Sequence, residues 1–516
     1  TDINISMFMT YDIIFGALPY SDLDHIYSAP AILKGIAVSN NYQAKTVDFG
    51  LVLLDLCDRN IDLFARVQSY FVSPGTSLTE SELQILNKFY SQIVDYFKST
   101  PTKYIAFSVL SVYTHKAIFD VTTRLKDNNI NAKIVVGGRG AKVPVWANAG
   151  LDTKLTKFDK IIGYGEFLRK KKLVDHIVIG DGEDAILDLL KGNSNLTLNN
   201  VSETFEYPIP DYSDYKFDEY LFDNKESIPF PINGSKGCVR DCDFCDIKFQ
   251  FGKYKYRTGT DIANEMIYVA EHLNFRNFQF TDSLVNGGLK QLTECCTIVA
   301  EYNLNNPDKR ISWSGQYICR PETEMPKRLY KLMADSGAEG LTIGAESGSN
   351  NVLKLMNKKT TVEALYSELE QFREHGITCT LLTFVGHWSE TFEDFIAHCR
   401  MFVNILPYVR SGTISNVTLG PLAMMLDGTP SMRDIEKHKI HLDDEIGNNL
   451  WISELNPDNN YKERVYRRLL ITKLINQLKI PCSEEYNTLL SISSLIDLQH
   501  NRINDFNKTF DSKYVH

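Results

Sequence analysis

The apolar positions divide the chain into two regions in which strand-like and helix-like segments alternate. The strands predicted in the first region are residues 47–54, 104–110, 134–136 and 176–179. A helical apolar period predicts a helix over residues 81–97. This alternation is typical of a parallel sheet covered by helices, so we expect a Rossmann-like α/β domain over residues 1–195.

A segment rich in Asn, Asp, Ser, Tyr and Pro, residues 196–230, predicts a linker before the second region. The second region has predicted strands at residues 232–235, 277–281, 311–314, 340–343, 378–385 and 413–419. Its predicted helices begin at Asp261, Leu289, Pro326, Val362 and Thr391. These repeated units predict a partial (β/α)6 TIM-like barrel over residues 231–430. We expect no strand in residues 431–516, where amphipathic segments 462–478 and 483–498 predict a helical C-terminal region.

Composition narrows the class of protein further. The 516 residues are 43% hydrophobic and 23% charged, which excludes a disordered chain and a membrane channel. No run of 18 apolar residues and no secretion signal is found, so we expect a soluble, cytoplasmic protein without a membrane partner. The net charge of −10 disfavours broad nucleic-acid binding, and the ten cysteines do not resemble a disulfide framework.

Three of the cysteines form a compact group directly after the first strand of the second region. Cys238, Cys242 and Cys245 are separated by three and then two residues. This spacing lets one loop offer three thiolates to a [4Fe-4S] cluster while the fourth iron stays without a protein ligand. Backbone amides around the loop can donate to sulfur and tune the reduction potential. A zinc site is the alternative, but the second Cys or His pair that tetrahedral zinc needs does not follow.

This spacing, with Phe244 directly before the third cysteine, resembles the signature of the radical S-adenosylmethionine (radical SAM) superfamily. The resemblance implies that the three cysteines are the metal ligands and the catalytic centre. It also implies that S-adenosylmethionine (SAM) binds the open iron, with Phe244 near its adenine. A reductant such as flavodoxin or ferredoxin is the implied electron donor.

The ends of later predicted strands carry further residues that fit this resemblance. It implies that Asp282 and Ser283 hold the methionine amine, and that Glu346 and Ser347 contact the ribose and carboxylate of SAM. Gly386 opens a turn that resembles the family's Gly-x-Pro-x-Glu-Thr pattern. The turn departs from that pattern because His387-Trp388-Ser389 stands where a Pro-Gly pair is common.

The first region carries small residues directly after its predicted strands, where glycine lets a cofactor approach the backbone closely. The order of these segments resembles the cobalamin-binding domain that precedes the barrel in one radical SAM subgroup. The residues that the resemblance assigns to cobalamin are Ser108, Gly137, Gly138, Gly180, Gly182 and Glu183. A degenerate domain that has lost the cofactor is the alternative.

The usual cobalt-ligating histidine motif is absent from this region. We therefore expect His115 and His176 to be ordinary surface or sheet-edge residues. Residues 141–175 are longer than the usual connection, and three readings stay open for them: a lid, a partner-binding insertion or a loop without function. The basic and aromatic segment 248–257 is predicted to pack near the cysteines rather than to stack on nucleic acid.

Together these features predict a radical SAM enzyme. It would cleave SAM reductively to a 5′-deoxyadenosyl radical and abstract a hydrogen from a small-molecule or peptide substrate. The predicted net reaction is cobalamin-dependent methylation of an unactivated centre. Two alternatives stay open: a cobalamin-independent radical enzyme that performs rearrangement, oxidation or cyclisation, and a non-catalytic iron–sulfur or zinc binding module.

Overall fold

The computed structural model describes residues 10–19, 25–73, 75–145, 151, 156, 161–193, 204–221, 228–321, 323–442 and 451–483. The chain divides into two compact units. The first is Thr1–Ser202 with Glu206–Pro231, and the second is Glu203–Phe205 with Ile232–His516. A search of the described helices finds none with the length and apolar content needed to cross a bilayer.

The first unit is built on a five-stranded sheet in the order β2-β1-β3-β4-β5, in which every pairing is parallel. Its elements are β1 (Tyr11–Ala17), α1 (Ser28–Ser39), β2 (Ala44–Asp48), α2 (Phe49–Leu56), α3 (Ile61–Val72), α4 (Glu80–Ser99), β3 (Thr102–Ser108), α5 (His115–Asp127), β4 (Lys133–Gly137), α6 (Tyr164–Lys170), β5 (His176–Ile177) and α7 (Gly182–Leu190). Helices connect the parallel strands, which confirms the predicted α/β class.

Two local predictions in this unit are wrong. Strand β1 was not predicted, although it lies inside the sheet between β2 and β3. The predicted strand 47–54 is a strand only as far as Asp48, where helix α2 begins. The Asp48 carboxylate accepts a hydrogen bond from Gly50 N–H at 2.8 Å and so caps this helix. The apolar run after Asp48 is buried as a helix, which a short run without clear periodicity does not reveal.

Residues 206–231, most of the predicted linker, belong to the first unit. The buried Lys34 ammonium on α1 lies 2.6 Å from the Asp214 carboxylate and 3.3 Å from that of Asp211. Asp214 also accepts from the N–H of Thr46 at 2.9 Å, on the edge strand β2. This segment therefore satisfies polar groups of a sheet edge that would otherwise be unpaired.

Part of the long connection 141–175 contributes to the core. The Tyr164 ring at the start of α6 is fully buried and stacks on His115 at 3.8 Å between ring centroids. Phe167 on the same helix is also fully buried. Helix α6 thus packs as a structural element, while residues 146–150, 152–155 and 157–160 of this connection lie outside the described residues.

The second unit contains the predicted succession of βα units. Its elements begin with β6 (Pro229–Ile232), β7 (Ser235–Lys236), α8 (Ile247–Phe251), β8 (Lys255–Tyr256), α9 (Gly259–His272), β9 (Asn277–Phe280), α10 (Leu289–Asn305), β10 (Ser312–Ser314), β11 (Gln316–Tyr317), α11 (Lys327–Asp335) and β12 (Leu341–Glu346). They continue with α12 (Asn350–Leu355), α13 (Val362–His375), β13 (Cys379–Thr383), α14 (Phe392–Asn404), α15 (Leu406–Arg410) and β14 (Ile414–Leu419).

The strands follow one another in space as they do in sequence. One sheet has the order β6-β9-β10, and the next has β11-β12-β13-β14. The pairs β9-β10, β11-β12, β12-β13 and β13-β14 are parallel. Their carboxyl ends therefore lie on one side of each sheet, where α/β enzymes of this kind assemble their sites.

The prediction that no strand follows residue 430 is wrong. This region contains α16 (Pro430–Arg433), β15 (Ile440–Leu442), β16 (Trp451–Ser453), α17 (Tyr461–Gln477) and β17 (Cys482–Ser483). Strands β15 and β16 form an antiparallel pair, and β17 joins the sheet in parallel beside β14. Such strands of two or three residues are too short to leave a period in the sequence. Helix α17 confirms the helix predicted over 462–478, whereas most of the one predicted over 483–498 lies outside the described residues.

Candidate active site

The three clustered cysteines lie on the loop between β7 and α8, here called the thiol loop (residues 237–245). Cys242 is buried, and Cys238 and Cys245 are half-buried. The N–H of Arg240 donates to Cys238 Sγ at 3.3 Å, and that of Ile247 donates to Cys245. These donors are the backbone amides that the sequence predicts around sulfur, and they lower the cost of placing negative charge there.

Electrostatic interactions link the three thiols with one another. Burial is the main cause that raises the pKa of Cys242 to about 12, and charge on either neighbouring sulfur acts in the same direction. Burial also raises the pKa of Cys238 and of Cys245, while the Lys358 ammonium acts in the opposite direction on all three. Among the described residues, no three His, Cys, Asp or Glu side chains are gathered for a single metal ion. The three thiols share one electrostatic environment on a single loop, and three thiolates on one loop are the donor set that a [4Fe-4S] cluster takes.

Lys358 was not predicted from the sequence. It is only 8% exposed, and its Nζ lies 2.6 Å from Glu346 Oε1. Burial acts to lower the pKa of Lys358, but the Glu346 carboxylate and the Cys242 thiol outweigh burial and hold it above its ordinary value. Lys358 therefore places a permanent positive charge beside the thiol loop.

The backbone at the end of β12 is shaped to make this ion pair. Glu346, predicted to bind SAM, has φ +59°, and the register of β12 against β13 shifts between Gly344 and Glu346. A Cβ at Gly344 would lie only 2.7 Å from Lys358 Nζ. The glycine and the left-handed residue together turn the Glu346 carboxylate back over the strand towards Lys358.

Phe244 and Asp282 mark two other sides of the site. The Phe244 ring packs against Phe384 at 5.1 Å between centroids and lies 5.8 Å from Lys358 Nζ. Asp282 is buried and accepts from Gly234 N–H at 2.8 Å and Ser235 Oγ–H at 2.6 Å, which ties it to the strand entering the thiol loop. Burial raises the pKa of Asp282 to about 7. Ser283, the next residue, is half-buried.

Ser347 and Gly348 continue the loop after β12. Ser347 is buried, and its hydroxyl oxygen accepts from Ser349 N–H at 3.2 Å. A Cβ on Gly348 would lie 2.8 Å from the Cα of His398 on α14. This loop is therefore pressed against a helix and leaves no room for a larger residue at Gly348.

The turn after β13, residues 386–391, departs from the family pattern in sequence but is tightly closed. Gly386 has φ +85°, and its N–H donates to the Glu390 carboxylate at 3.2 Å. Thr391 caps α14 in a capping box with Asp394. His387 and Trp388 stand where a Pro-Gly pair is common in the family. His387 Nε2 lies 2.9 Å from the Asp243 carboxylate on the thiol loop, and Trp388 Nε1–H donates to the same carboxylate at 2.9 Å. The residues that depart from the pattern thus contact the thiol loop.

The residues assigned to cobalamin follow the strands of the first unit. Ser108, Gly138 and Gly180 are exposed at the ends of β3, β4 and β5, and Gly137, Gly182 and Glu183 are partly buried beside them. Gly138 has φ +99°, and a Cβ there would lie 2.8 Å from the Val109 carbonyl oxygen. This glycine is required by contact with a neighbouring loop, whether or not a ligand also approaches it.

A cavity of about 640 Å³ in the first unit lies elsewhere. It is lined by residues of β2, α2 and α4 and by the segment 214–220, and among its lining residues are Asp48, Tyr96 and Tyr220. The residues assigned to cobalamin do not line it. This cavity could not be predicted from the sequence because its walls come from segments far apart in the chain.

Two of the histidines in the first unit, His115 and His176, were assessed from the sequence. His176 lies on the edge strand β5, as predicted. His115 is fully buried rather than at the surface, which corrects that part of the prediction, and its Nε2 lies 3.2 Å from the Gly140 carbonyl oxygen. Burial lowers the pKa of His115 to about 4.

Part of the segment 248–257 is buried within the second unit, and its predicted packing near the cysteines stays a prediction. Lys255 and Arg257 are buried, and Arg257 Nη1 lies 2.6 Å from the Glu265 carboxylate. Phe249 is 68% exposed and differs from them in this respect. These two buried basic side chains therefore interact within the protein.

Comparison with known proteins finds a family match within the second unit. Residues 232–402 match the family model of the radical SAM superfamily. An uncharacterized methyltransferase of Pyrococcus horikoshii is 24% identical over 331 residues, which cover 61% of this chain and 65% of that protein. The chain thus spans just under two thirds of that relative's length.

Two solved structures share the fold over most of the chain. The radical SAM methyltransferase TsrM of Kitasatospora setae superposes with a TM-score of 0.60 and 14% identity, covering 85% of this chain and 80% of TsrM. The cobalamin-dependent SAM radical enzyme OxsB also gives a TM-score of 0.60 and 14% identity, covering 94% of this chain and 71% of OxsB. At this identity the likeness concerns the fold. The match to the radical SAM superfamily model concerns residues 232–402, which include the thiol loop.

Proposed function

We propose that the chain is a cobalamin-dependent radical SAM methyltransferase that acts on a small-molecule or peptide substrate. The observation that carries this proposal is the thiol loop beside the buried Lys358–Glu346 pair, at the carboxyl ends of the strands in a unit that matches the superfamily model. The similarity in fold to TsrM and OxsB, both solved with cobalamin bound, supports the assignment of cobalamin, and TsrM is a methyltransferase.

The residues present fit the implied groups. Cys238, Cys242 and Cys245 would hold a [4Fe-4S] cluster, with amide donors to two of the sulfurs. Lys358 supplies positive charge where a methionine carboxylate would carry negative charge. When bound, the cluster supplies the electron that cleaves SAM to the 5′-deoxyadenosyl radical, and cobalamin supplies a methyl group.

The protein's own contribution is to fix and shield this site. The Phe244–Phe384 pair provides an apolar wall that excludes water from one side. Asp282 ties Gly234 and Ser235, and so the strand leading into the thiol loop, to the end of β9. These contacts hold the cysteines at fixed positions relative to the neighbouring strands.

In the first unit, the exposed loops after β3, β4 and β5 would receive cobalamin. Leu110 and Tyr113 are 41% and 50% exposed just beyond β3 and offer apolar surface to a flat corrin ring. No histidine of the usual motif is present, and His115 is held inside the core. We therefore propose that the protein supplies no histidine from these loops to cobalt.

The proposal is tested by anaerobic reconstitution with iron and sulfide, reduction and addition of SAM. We expect release of 5′-deoxyadenosine by the wild-type protein, and loss of both iron and this product in Cys238→Ala, Cys242→Ala and Cys245→Ala. Cys482→Ser, on strand β17 and outside the thiol loop, is the control and retains both. Wild-type protein that binds iron but releases no 5′-deoxyadenosine would contradict the proposed activity and favour a non-catalytic iron–sulfur module.

A radical SAM enzyme without cobalamin is the second candidate. It is favoured by one observation, that Gly138 and Gly140 are required by contacts between the loops themselves. Protein produced with cobalamin supplied distinguishes the two. A corrin absorbance band that remains after gel filtration supports the methyltransferase, and its failure to appear supports the second candidate.

A further inference from the structure

The thiol loop is held by residues that lie far along the chain, and Asp243 is where they meet. Asp243 stands between Cys242 and Phe244 and is only 8% exposed. Its N–H donates to the Met356 carbonyl at 2.9 Å, and its carbonyl accepts from Ser431 N–H at 2.8 Å. Its backbone is therefore fixed by two segments that lie more than 100 residues further along the chain.

The Asp243 carboxylate has its own two partners. His387 Nε2 lies 2.9 Å from Oδ2 and 3.1 Å from Oδ1, and Trp388 Nε1–H donates to Oδ2 at 2.9 Å. His387 is 2% exposed, and Trp388 stacks on His438 at 3.9 Å between centroids. Hydrogen bonds to a buried carboxylate are among the stronger ones in proteins, so this contact ties the 386–391 turn firmly to the thiol loop.

The C-terminal region anchors the 386–391 turn. Asn459 Nδ2 donates to the His387 carbonyl at 2.6 Å, and Asn456 Nδ2 donates to the Trp388 carbonyl at 3.2 Å and the Glu390 carbonyl at 2.9 Å. The turn's backbone is therefore not free to move independently of residues 456–459.

Two buried arginines of α17 complete the anchor. Arg467 Nη1 lies 2.9 Å from the Glu390 carboxylate, and both side chains are 1% exposed. The aliphatic part of Arg464 packs on Gly386, where any Cβ would clash, and its guanidinium lies 3.8 Å from the Trp451 ring centroid. Gly386 is thus a glycine because Arg464 occupies the space beside it.

We propose that His387 and Trp388 are positioning residues that hold the thiol loop in its cluster-binding shape through Asp243. The residues of the C-terminal region that brace them are Ser431, Asn456, Asn459, Arg464 and Arg467. This inference rests on the proposed function for the role of the cysteines. The loop would be shaped by these contacts before any iron arrives, because none of them involves a cysteine side chain. The His-Trp pair that departs from the family's Pro-Gly pattern then replaces a rigid turn with side-chain contacts.

The test measures thiol exposure in anaerobic, iron-free full-length protein. Alkylation of Cys242 by iodoacetamide is followed by mass spectrometry of the peptide that contains it. We expect His387→Leu to raise the rate about tenfold, because a hydrogen bond to a charged group is lost. Trp388→Phe keeps the ring on His438 but removes the donor, and we expect a rise of about threefold. His387→Gln keeps a donor and should restore a rate near that of the wild type.

His441→Leu is the matched control, because it removes a His–carboxylate contact of 2.8 Å with Glu454 at the exposed surface of the same region. Its Cys242 alkylation rate should equal that of the wild type. Iron uptake on reconstitution should fall in the order wild type, Trp388→Phe, His387→Leu. If circular dichroism shows that His387→Leu does not fold, the Cys242 alkylation rates of Trp388→Phe and His387→Gln test the inference.

Wild-type alkylation rates and iron uptake in both His387→Leu and Trp388→Phe would overturn the inference. That result differs from failure of the proposed function. If the wild-type protein took up no iron, the proposed function would fail, yet the alkylation rates of the iron-free variants would still decide whether these residues hold the loop.

Discussion

The two units hold the loops at the ends of their strands by different means. In the first unit, the backbone of one loop contacts the backbone of the next. Gly140 N–H donates to the Val109 carbonyl at 2.8 Å, and Gly138 has no room for a side chain. In the second unit, buried charged side chains join the loops, as in the Lys358–Glu346 and Arg467–Glu390 pairs. Backbone packing fixes the shape of a surface without charging it, whereas paired side chains also place charge where chemistry needs it.

The comparison predicts how each unit responds to substitution. A change in the second unit should affect stability and chemistry together, because its buried charges serve both. A change in the first unit should affect stability alone unless it alters a surface that a cofactor touches. The substitutions below separate these responses.

The largest effect is expected for Lys358→Met. Removing one partner of a buried ion pair leaves Glu346 uncompensated and should lower the free energy of unfolding by about 3–5 kcal/mol. Removing the positive charge beside the thiol loop should also lower the rate of 5′-deoxyadenosine release about 100-fold. Urea unfolding and product release measure the two effects.

Two further variants separate stability from chemistry at this position. Lys331→Met breaks an exposed pair with Asp335, 2.7 Å apart, and should change the free energy of unfolding by less than about 1 kcal/mol. The double variant Glu346→Gln/Lys358→Met removes both charges and should recover part of the stability but none of the activity. Recovery of activity in the double variant would show that Lys358 serves only to neutralise Glu346.

In the first unit, Gly138→Ala should lower stability and leave the iron–sulfur chemistry of the second unit unchanged. A Cβ at φ +99° and 2.8 Å from the Val109 oxygen should cost about 2–3 kcal/mol of unfolding free energy. Gly192→Ala has a similar φ of +87° but open space around it, and should cost about 1 kcal/mol. Iron content and 5′-deoxyadenosine release should match the wild type in both variants. A loss of iron in Gly138→Ala would contradict the separation of the two units' roles.

The same contrast explains what could be predicted from the sequence. The predicted helix starts at Leu289 and Val362 agree with α10 and α13, because long amphipathic helices repeat their pattern over several turns. The cysteines of the thiol loop could be found because their ligand spacing is local. Strand β17 could not be predicted, since its two residues pair with β14 more than 60 residues earlier.

The side-chain contacts around the site could not be predicted for the same reason, because their partners are far apart in the sequence. Lys358 pairs with Glu346 across 12 residues and a helix, and Arg467 meets Glu390 across 77. A lysine or arginine in a polar sequence is expected to lie at the surface, and only the tertiary fold reveals that these are buried. His387 and Trp388 were noticed as a departure from the pattern, but their partner Asp243 is 144 residues earlier.

The smallest effect concerns one buried histidine in each unit. His398 on α14 is fully buried, and neither ring nitrogen has a hydrogen-bond partner within the part of the chain that the structure describes. Burial lowers the pKa of His398 to about 3. Burial lowers the pKa of His115 to about 4 although it contacts a carbonyl. Both stay neutral in the folded protein at pH 5.5, whereas the unfolded chain takes up protons below about pH 6.5. The unfolded state then binds more protons, so stability falls as the pH falls through this window.

Each histidine should therefore cost about 1.4 kcal/mol of unfolding free energy at pH 5.5 relative to pH 8. His398→Phe and His115→Phe should each remove about this much of the acid-dependent loss, measured as the difference between urea unfolding at the two pH values. Taking a difference cancels any effect of ring size on packing, because that effect is the same at both pH values. An acid-dependent loss that is unchanged in His398→Phe would mean that this histidine is protonated in the folded protein. It would then need a polar partner or water near α14, and the packing of Gly348 against this helix would be looser than the structure shows.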